Sequence, residues 1–174
     1  MGNLVRIFFI LALLVGCAQN MPEILEKRPE QNEKIGMTQL EGDLLLTNGK
    51  ILNLQEVRQT TLIYFISESC TSCIEETKEL VQLFKEKGLP QNILIYSVLI
   101  GSTQSDTLDW EQNFQTQWQV GFDENLFLYK KYFQKLVTPS IVIYNGNTSK
   151  VTLYQGKKTI DELQQETGTW EFLN

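Results

Sequence analysis

The chain has 174 residues, of which 42% are hydrophobic, and it carries 15 Lys and Arg against 21 Asp and Glu. This length and composition predict one globular domain that folds without a disulfide framework or a structural metal, and they exclude disorder and collagen-like repeats. The net charge of −6 opposes binding to nucleic acid, and the absence of histidine excludes imidazole metal sites and Ser-His or Cys-His nucleophile pairs.

The N-terminus carries a short apolar run behind Arg6, from residue 7 to residue 16. A bilayer span needs about 20 apolar residues, so the run predicts a signal-peptide core rather than a membrane helix. It ends in Leu14-Val15-Gly16-Cys17, which resembles the lipobox of bacterial lipoproteins. The resemblance implies cleavage after residue 16 and lipidation of Cys17, whereas the alternatives are an uncleaved anchor or an ordinary signal peptide.

The segment after Cys17 is polar, contains Pro22 and Pro29, and has no sustained helical or strand period. It therefore predicts a lipid-anchored tether over residues 17–39, followed by a folded domain over residues 40–174. Export places the domain in the bacterial cell envelope, facing the periplasm or the exterior, where disulfides form and persist.

The first half of the domain is predicted to contain a hairpin, a strand, a helix and a second strand. Asn48-Gly49 between apolar stretches at 43–47 and 51–54 predicts a β-hairpin. The continuous apolar run 61–66 predicts a strand covered on both faces, and a helical pattern follows the cysteines up to Gly88. Residues 92–100 predict a second buried strand, which makes the sheet at least partly parallel.

The second half predicts two helices, a hairpin and a last helix. Ser105 is the expected N-cap of a helix over 105–118, and Asn125 that of a helix over 125–133. Apolar runs at 140–144 and 150–154 flank an Asn-Gly-Asn turn and predict a second hairpin. Thr159 and Glu162 form an expected capping box for a final helix to about residue 166.

Two of the three cysteines, Cys70 and Cys73, stand three residues apart at a predicted helix start. Free N–H groups and the helix dipole favour a thiolate at Cys70, so this thiol is the expected nucleophile and Cys73 the resolving thiol. A zinc site needs two further ligands, and the chain has no histidine and no other cysteine besides Cys17, which is expected to carry lipid. An inert structural disulfide remains the alternative.

Thr138-Pro139 directly precedes the third apolar strand run. The order of elements over roughly residues 44–166 resembles the thioredoxin fold. It consists of a strand, the Cys-x-x-Cys motif, a helix, a strand, an insert, Thr-Pro, a hairpin and a helix. The resemblance implies an α/β three-layer architecture, with a central mixed sheet flanked by helices and an N-terminal β-hairpin. It also implies that Pro139 is cis and faces the dithiol, and that the backbone of Thr138 pairs with an extended substrate.

Within this fold, the chain resembles the TlpA/ResA-like extracytoplasmic thiol-disulfide oxidoreductases in three features: the hairpin with Asn48-Gly49-Lys50, the lipobox and an insert over 102–123. The resemblance implies an enzyme that needs no cofactor, acts on protein disulfides or dithiols and receives electrons from a membrane protein. It further implies that Glu76 relays the proton of Cys73; the alternative is a solvated helix glutamate.

The chain departs from the family pattern beside the dithiol. Ser69 stands where the family has Trp, Thr71-Ser72 lacks the usual proline, and Tyr64 occupies the position of the buried aspartate of cytoplasmic thioredoxins. These departures motivate a second hypothesis, a non-catalytic thioredoxin-fold binding module with a structural disulfide.

Overall fold

The computed structural model describes residues 37–172. The predicted signal peptide, the predicted lipidation site Cys17 and most of the predicted tether lie outside these residues, so they stay predictions. Within residues 37–172, no helix has both the length and the apolar composition needed to cross a bilayer.

A seven-stranded mixed sheet forms the centre of the domain, in the order β2-β1-β5-β4-β3-β6-β7. β4 runs parallel to both β3 and β5, and the other neighbouring strands are antiparallel. The strands are β1 Asp43–Leu46, β2 Ile51–Asn53, β3 Thr61–Ile66, β4 Leu94–Ile100, β5 Gln119–Asp123, β6 Ser140–Asn145 and β7 Lys150–Gln155.

Helices cover both faces of this sheet and produce the expected three layers. They are α1 Thr71–Lys87, α2 Gln104–Phe114, α3 Tyr129–Tyr132 and α4 Ile160–Thr167. Because side chains alternate along a strand, β3 sends Tyr64 into the core beneath α1 and Phe65 into the core on the other face, where it packs on Tyr129 and Tyr132 of α3. The predicted fold class is therefore confirmed.

The locally encoded elements lie close to their predicted positions. The Asn48-Gly49 turn joins β1 to β2, and α1 ends at Lys87, followed by Gly88, whose φ is 80°. Thr159 and Glu162 form the predicted capping box of α4. These elements depend on turns, caps and apolar runs that are contiguous in the sequence.

The predicted helix over 105–118 is wrong at both ends. α2 begins at Gln104, because the N-cap is Thr103, which forms a capping box with Asp106. It ends at Phe114, because Gln115 adopts a left-handed conformation with φ 53°. Trp118, expected within the helix, instead directly precedes β5 and is buried.

β5 was not predicted as a strand, since the five residues Gln119–Asp123 lack a continuous apolar run. Gly121 is required there because β1 passes very close: a Cβ atom would lie 2.5 Å from the carbonyl oxygen of Leu45 and 2.6 Å from Cδ1 of Leu44. The strand is thus specified by a contact with a distant part of the chain.

The predicted helix over 125–133 is much shorter in the structure, where α3 covers only Tyr129–Tyr132. Asn125 is not its N-cap, because Leu126 has a left-handed φ of 61° and interrupts the pattern. The carboxylate of Asp123 instead accepts a hydrogen bond from the backbone N–H of Tyr129 at 2.7 Å.

Candidate active site

Cys70 and Cys73 form a disulfide at the start of α1, with their Cα atoms 5.2 Å apart. β3 delivers the chain to this point, and a turn closed by the Cys70 N–H and the Ser67 carbonyl leads into the helix. Cys70 is the N-cap of α1, and its Sγ accepts a hydrogen bond from the backbone N–H of Cys73 at 3.2 Å. Cys70 is partly exposed, whereas Cys73 is only 1% exposed, so an incoming group meets Cys70 first.

Ser72 supplies a second polar contact to the exposed sulfur. Its Oγ lies 3.4 Å from Sγ of Cys70. A disulfide sulfur carries no proton, so the hydroxyl is the donor. The sequence placed Ser72 only among the departures from the family, because spacing does not reveal which way a serine hydroxyl points.

The loop before β6 forms the second wall of the site. Its Thr138-Pro139 peptide bond is cis, as the resemblance implies, and Pro139 is buried. The loop faces the turn before Cys70, since the hydroxyls of Thr138 and Ser67 lie 3.4 Å apart. The carbonyl oxygen of Pro139 accepts a hydrogen bond of 2.7 Å from the backbone N–H of Gly156.

The hydroxyl of Tyr129 holds this loop from inside. Its single proton lies between the carbonyls of Lys135 at 2.7 Å and Val137 at 3.1 Å, and its oxygen accepts from the N–H of Val137 at 3.0 Å. It also lies 3.3 Å from Oγ of Ser140. The sequence did not indicate this role, because a tyrosine in a short helix has no distinctive spacing.

Glu76 lies one helical turn after Cys73 and is 4% exposed. Its Oε1 accepts a hydrogen bond from the backbone N–H of Lys158 at 3.0 Å, whereas its Oε2 is buried without a hydrogen-bond partner. The pKa of Glu76 is raised from 4.5 to about 7, mainly because the group is buried. The Lys158 N–H and the charge of Lys157 act in the opposite direction and offset part of this rise. The carboxyl group is therefore buried next to the dithiol and titrates near neutral pH.

The turn between β7 and α4 is tied to α1 at a second point. Nζ of Lys157 lies 2.9 Å from Oε1 of Glu79 and 3.8 Å from Oε2 of Glu75. These side chains are a third to a half or more exposed, so the pairs contribute little to stability. They link α1 to the same turn whose backbone N–H donates to Glu76.

Apolar side chains are exposed in the loops at this end of the sheet. Leu136 and Val137 are 64% and 38% exposed in the loop before Thr138, and Phe127, in the loop after β5, is 73% exposed. Parallel strands bring their carboxyl ends to one edge, so the loops after β3 and β5 lie at the same end of the molecule. Within residues 37–172, no group of three or more Cys, Asp or Glu side chains is arranged to hold a metal ion.

Comparisons with known proteins identify the fold. No known family profile matches the chain, and no curated protein sequence matches it. Solved structures do match. DsbF of Mycobacterium tuberculosis superimposes with a TM-score of 0.62 at 13% identity, covering 75% of this chain and 95% of that chain. StoA of Bacillus subtilis gives 0.58 at 15% identity, with 71% and 93% covered.

A secreted thiol-disulfide isomerase from Corynebacterium glutamicum is also similar, with a TM-score of 0.62 at 11% identity and coverage of 74% and 82%. At these identities the similarity establishes the fold, which is thioredoxin-like.

Proposed function

We propose that this protein is a membrane-tethered thiol-disulfide oxidoreductase of the bacterial envelope, which exchanges disulfides with protein substrates through Cys70-Thr71-Ser72-Cys73. One observation carries the proposal: a disulfide caps the first turn of α1 with one sulfur partly exposed and the other buried. A purely structural bridge would not need an asymmetric pair at a helix N-terminus, where a thiolate is stabilised.

In the reducing direction the reaction has two steps. The Cys70 thiolate attacks a substrate disulfide, forms a mixed disulfide and releases one substrate thiolate. The Cys73 thiol then loses its proton and attacks Sγ of Cys70, which re-forms the intramolecular disulfide and releases the second substrate thiolate. Two electrons pass from the dithiol to the substrate, and both released thiolates take up protons.

Two hydrogen-bond donors and the helix dipole stabilise the Cys70 thiolate in this scheme. The Cys73 N–H and the Ser72 hydroxyl both donate to its sulfur, and the helix dipole adds partial positive charge. These donors stabilise the attacking form without a histidine, which the chain lacks. Without a histidine in the dipeptide we expect a reduction potential between ~−270 and −180 mV, typical of reducing or intermediate relatives.

Glu76 is the proton acceptor in the second step. Its pKa of about 7 lets it take the proton of Cys73 near neutral pH and return it afterwards. The Thr138-Pro139 loop forms the substrate groove, and the exposed Leu136 and Val137 extend it with apolar surface.

Membrane attachment rests on the lipobox at Cys17 and makes the partner that supplies electrons a membrane protein. Mass spectrometry of the mature N-terminus tests this part separately, since lipidation adds a defined mass to Cys17. An unmodified N-terminus starting elsewhere would exclude the anchor and leave the chemistry at Cys70 unaffected.

The reduction potential of the Cys70–Cys73 pair is the direct test of the redox function. A reversible value between ~−270 and −120 mV on equilibration with defined thiol buffers would establish a redox-active dithiol, whereas a value below ~−300 mV would make the bridge structural and favour the binding module. Trapping gives an independent result. Cys73→Ser should accumulate mixed disulfides with envelope proteins, whereas Cys70→Ser, the matched control, should not.

A further inference from the structure

Tyr64 lies at the floor of the site, on β3, and is 2% exposed. It pairs with Ser97 of β4 and Ile141 of β6, and it belongs to the core beneath α1 that also contains Cys73. Its hydroxyl is buried and has no hydrogen-bond partner within residues 37–172. A buried hydroxyl without a partner is costly, and native structures contain few.

A second orphaned oxygen lies on the same side of the sheet. Oε2 of Glu76 is buried and receives no hydrogen bond from any residue of 37–172. Glu76 faces this core because it stands one turn after Cys73 and one turn before Leu80 on α1, and both of those side chains are buried in the core of Tyr64. The two groups also interact electrostatically: after burial, the charge of Glu76 is the largest cause that raises the pKa of Tyr64.

The other charged groups around Glu76 do not serve its second oxygen. From the turn before α4, the Lys158 N–H donates to Oε1, and Nζ of Lys157 pairs with Glu79. Nζ of Lys158 lies 4.0 Å from the centroid of the Tyr154 ring and 4.0 Å from Oε1 of Glu162. Glu79 and Glu162 oppose ionisation of Glu76. An ionised Glu76 therefore still needs a donor at Oε2.

We propose that the Tyr64 hydroxyl is this donor, through one bridging water molecule, and that Tyr64 is a positioning residue which sets the proton affinity of Glu76. A hydroxyl serves both states of the carboxyl group, since it donates to the carboxylate and accepts from the protonated acid. The inference rests on the proposed function for its role in exchange, because Glu76 must ionise to take the proton of Cys73. The coupling between Tyr64 and Glu76 is a separate property that can be measured in the absence of substrate.

The test is Tyr64→Phe, which removes the hydroxyl and keeps the ring. Without its donor, the carboxylate is less stable, so we expect the pKa of Glu76 to rise by about one unit. Carboxyl ¹³C NMR titration of the oxidised and reduced proteins measures this, with Glu76→Gln to assign the signal. The matched control is Tyr96→Phe, a buried tyrosine of the neighbouring strand β4 in the core on the opposite face. A change in the Glu76 titration below about 0.2 units in Tyr64→Phe, or an equal change in Tyr96→Phe, would overturn the proposal.

Exchange kinetics separate this inference from the proposed function. If Glu76 accepts the proton, the one-unit shift makes the resolving step ~5-fold slower at pH 7 and leaves it nearly unchanged at pH 9. A merely structural tyrosine would instead change stability without moving the pH midpoint. If the titration shifts while the protein shows no disulfide exchange at all, the coupling stands and the proposed function fails.

Discussion

At the scale of single residues, the chemistry of the site depends on a few hydrogen bonds to sulfur and carboxylate. Cys70 receives one from the backbone of Cys73 and one from the hydroxyl of Ser72. Only the second can be removed by substitution without altering the helix.

We therefore expect Ser72→Ala to raise the pKa of the Cys70 thiol in the reduced protein, because the thiolate loses a donor. A rise of about half a unit to one unit would make the reduction potential ~15–30 mV more negative, because a tenfold change in the exchange constant corresponds to about 30 mV. Thiolate absorbance and equilibration with thiol buffers measure the two effects.

Thr71→Ala is the matched control, because Thr71 is the exposed neighbour in the same dipeptide. Equal pKa values of Cys70 in both variants would show that the Ser72 hydroxyl does not act on the thiolate.

Glu76 makes stability depend on pH in the direction opposite to most carboxylates. Its pKa is about 7 in the folded protein and near 4.5 when unfolded, so the folded state binds its proton more tightly. The contribution of Glu76 to the free energy of unfolding should fall by about 3 kcal/mol as pH rises from about 4.5 through 7, and should stay constant above about pH 8.

Glu76→Gln should remove this decline and stabilise the protein at pH 8, as measured by urea unfolding across that range. Glu86→Gln, an exposed position on the same helix, should leave the decline in place. A wild-type protein whose stability rises between pH 4.5 and 7 while Glu76→Gln behaves identically would contradict the pKa assigned to Glu76.

At the scale of elements, α3 offers a comparison between two tyrosines with similar bonding and different positions. The Tyr129 hydroxyl holds the loop before Pro139, whereas the Tyr132 hydroxyl bonds the N–H and carbonyl of Glu41 at 2.8 and 2.7 Å. Only the first of these loops forms a wall of the site.

Tyr129→Phe and Tyr132→Phe should each cost about 1–3 kcal/mol of stability, because each leaves buried or half-buried backbone groups without partners. Only Tyr129→Phe should also slow disulfide exchange with a protein substrate, since it loosens the Thr138-Pro139 loop. Chemical unfolding and an insulin-reduction assay separate the two effects, and equal exchange rates in the two variants would argue against a substrate-binding role for the loop.

At the scale of the whole molecule, the start of the folded domain can be tested by truncation. Leu40 is 1% exposed, and the carbonyl of Met37 accepts a hydrogen bond from Val151 of β7 at 3.2 Å. A chain that starts at residue 37 should therefore be as stable as one that starts at residue 18.

A chain that starts at residue 43 should lose about 2–4 kcal/mol, because it lacks the buried Leu40 and the Glu41 bonds to Tyr132. Urea unfolding of the three proteins checks both expectations. A large loss already at residue 37 would mean that the preceding segment belongs to the fold and is not a tether.

The sequence predicted the parts of the fold that depend on contiguous residues, such as β3, α1 and the β6–β7 hairpin. It missed β5 and overextended α3, because Gly121 is selected by the approach of Leu45 and the start of α3 by the carboxylate of Asp123. The same difference between neighbouring and distant residues applies to the site. The two cysteines are three residues apart in sequence, whereas the partner of Glu76 lies 82 residues away.

The edges of the sheet bear on self-association. One edge is β2, which is only three residues long, and at the other edge the N–H of Val151 in β7 is already bonded to Met37. Short or covered edges give a foreign strand few backbone groups to pair with, which limits edge-to-edge aggregation. We therefore expect the folded domain to resist edge-to-edge self-association.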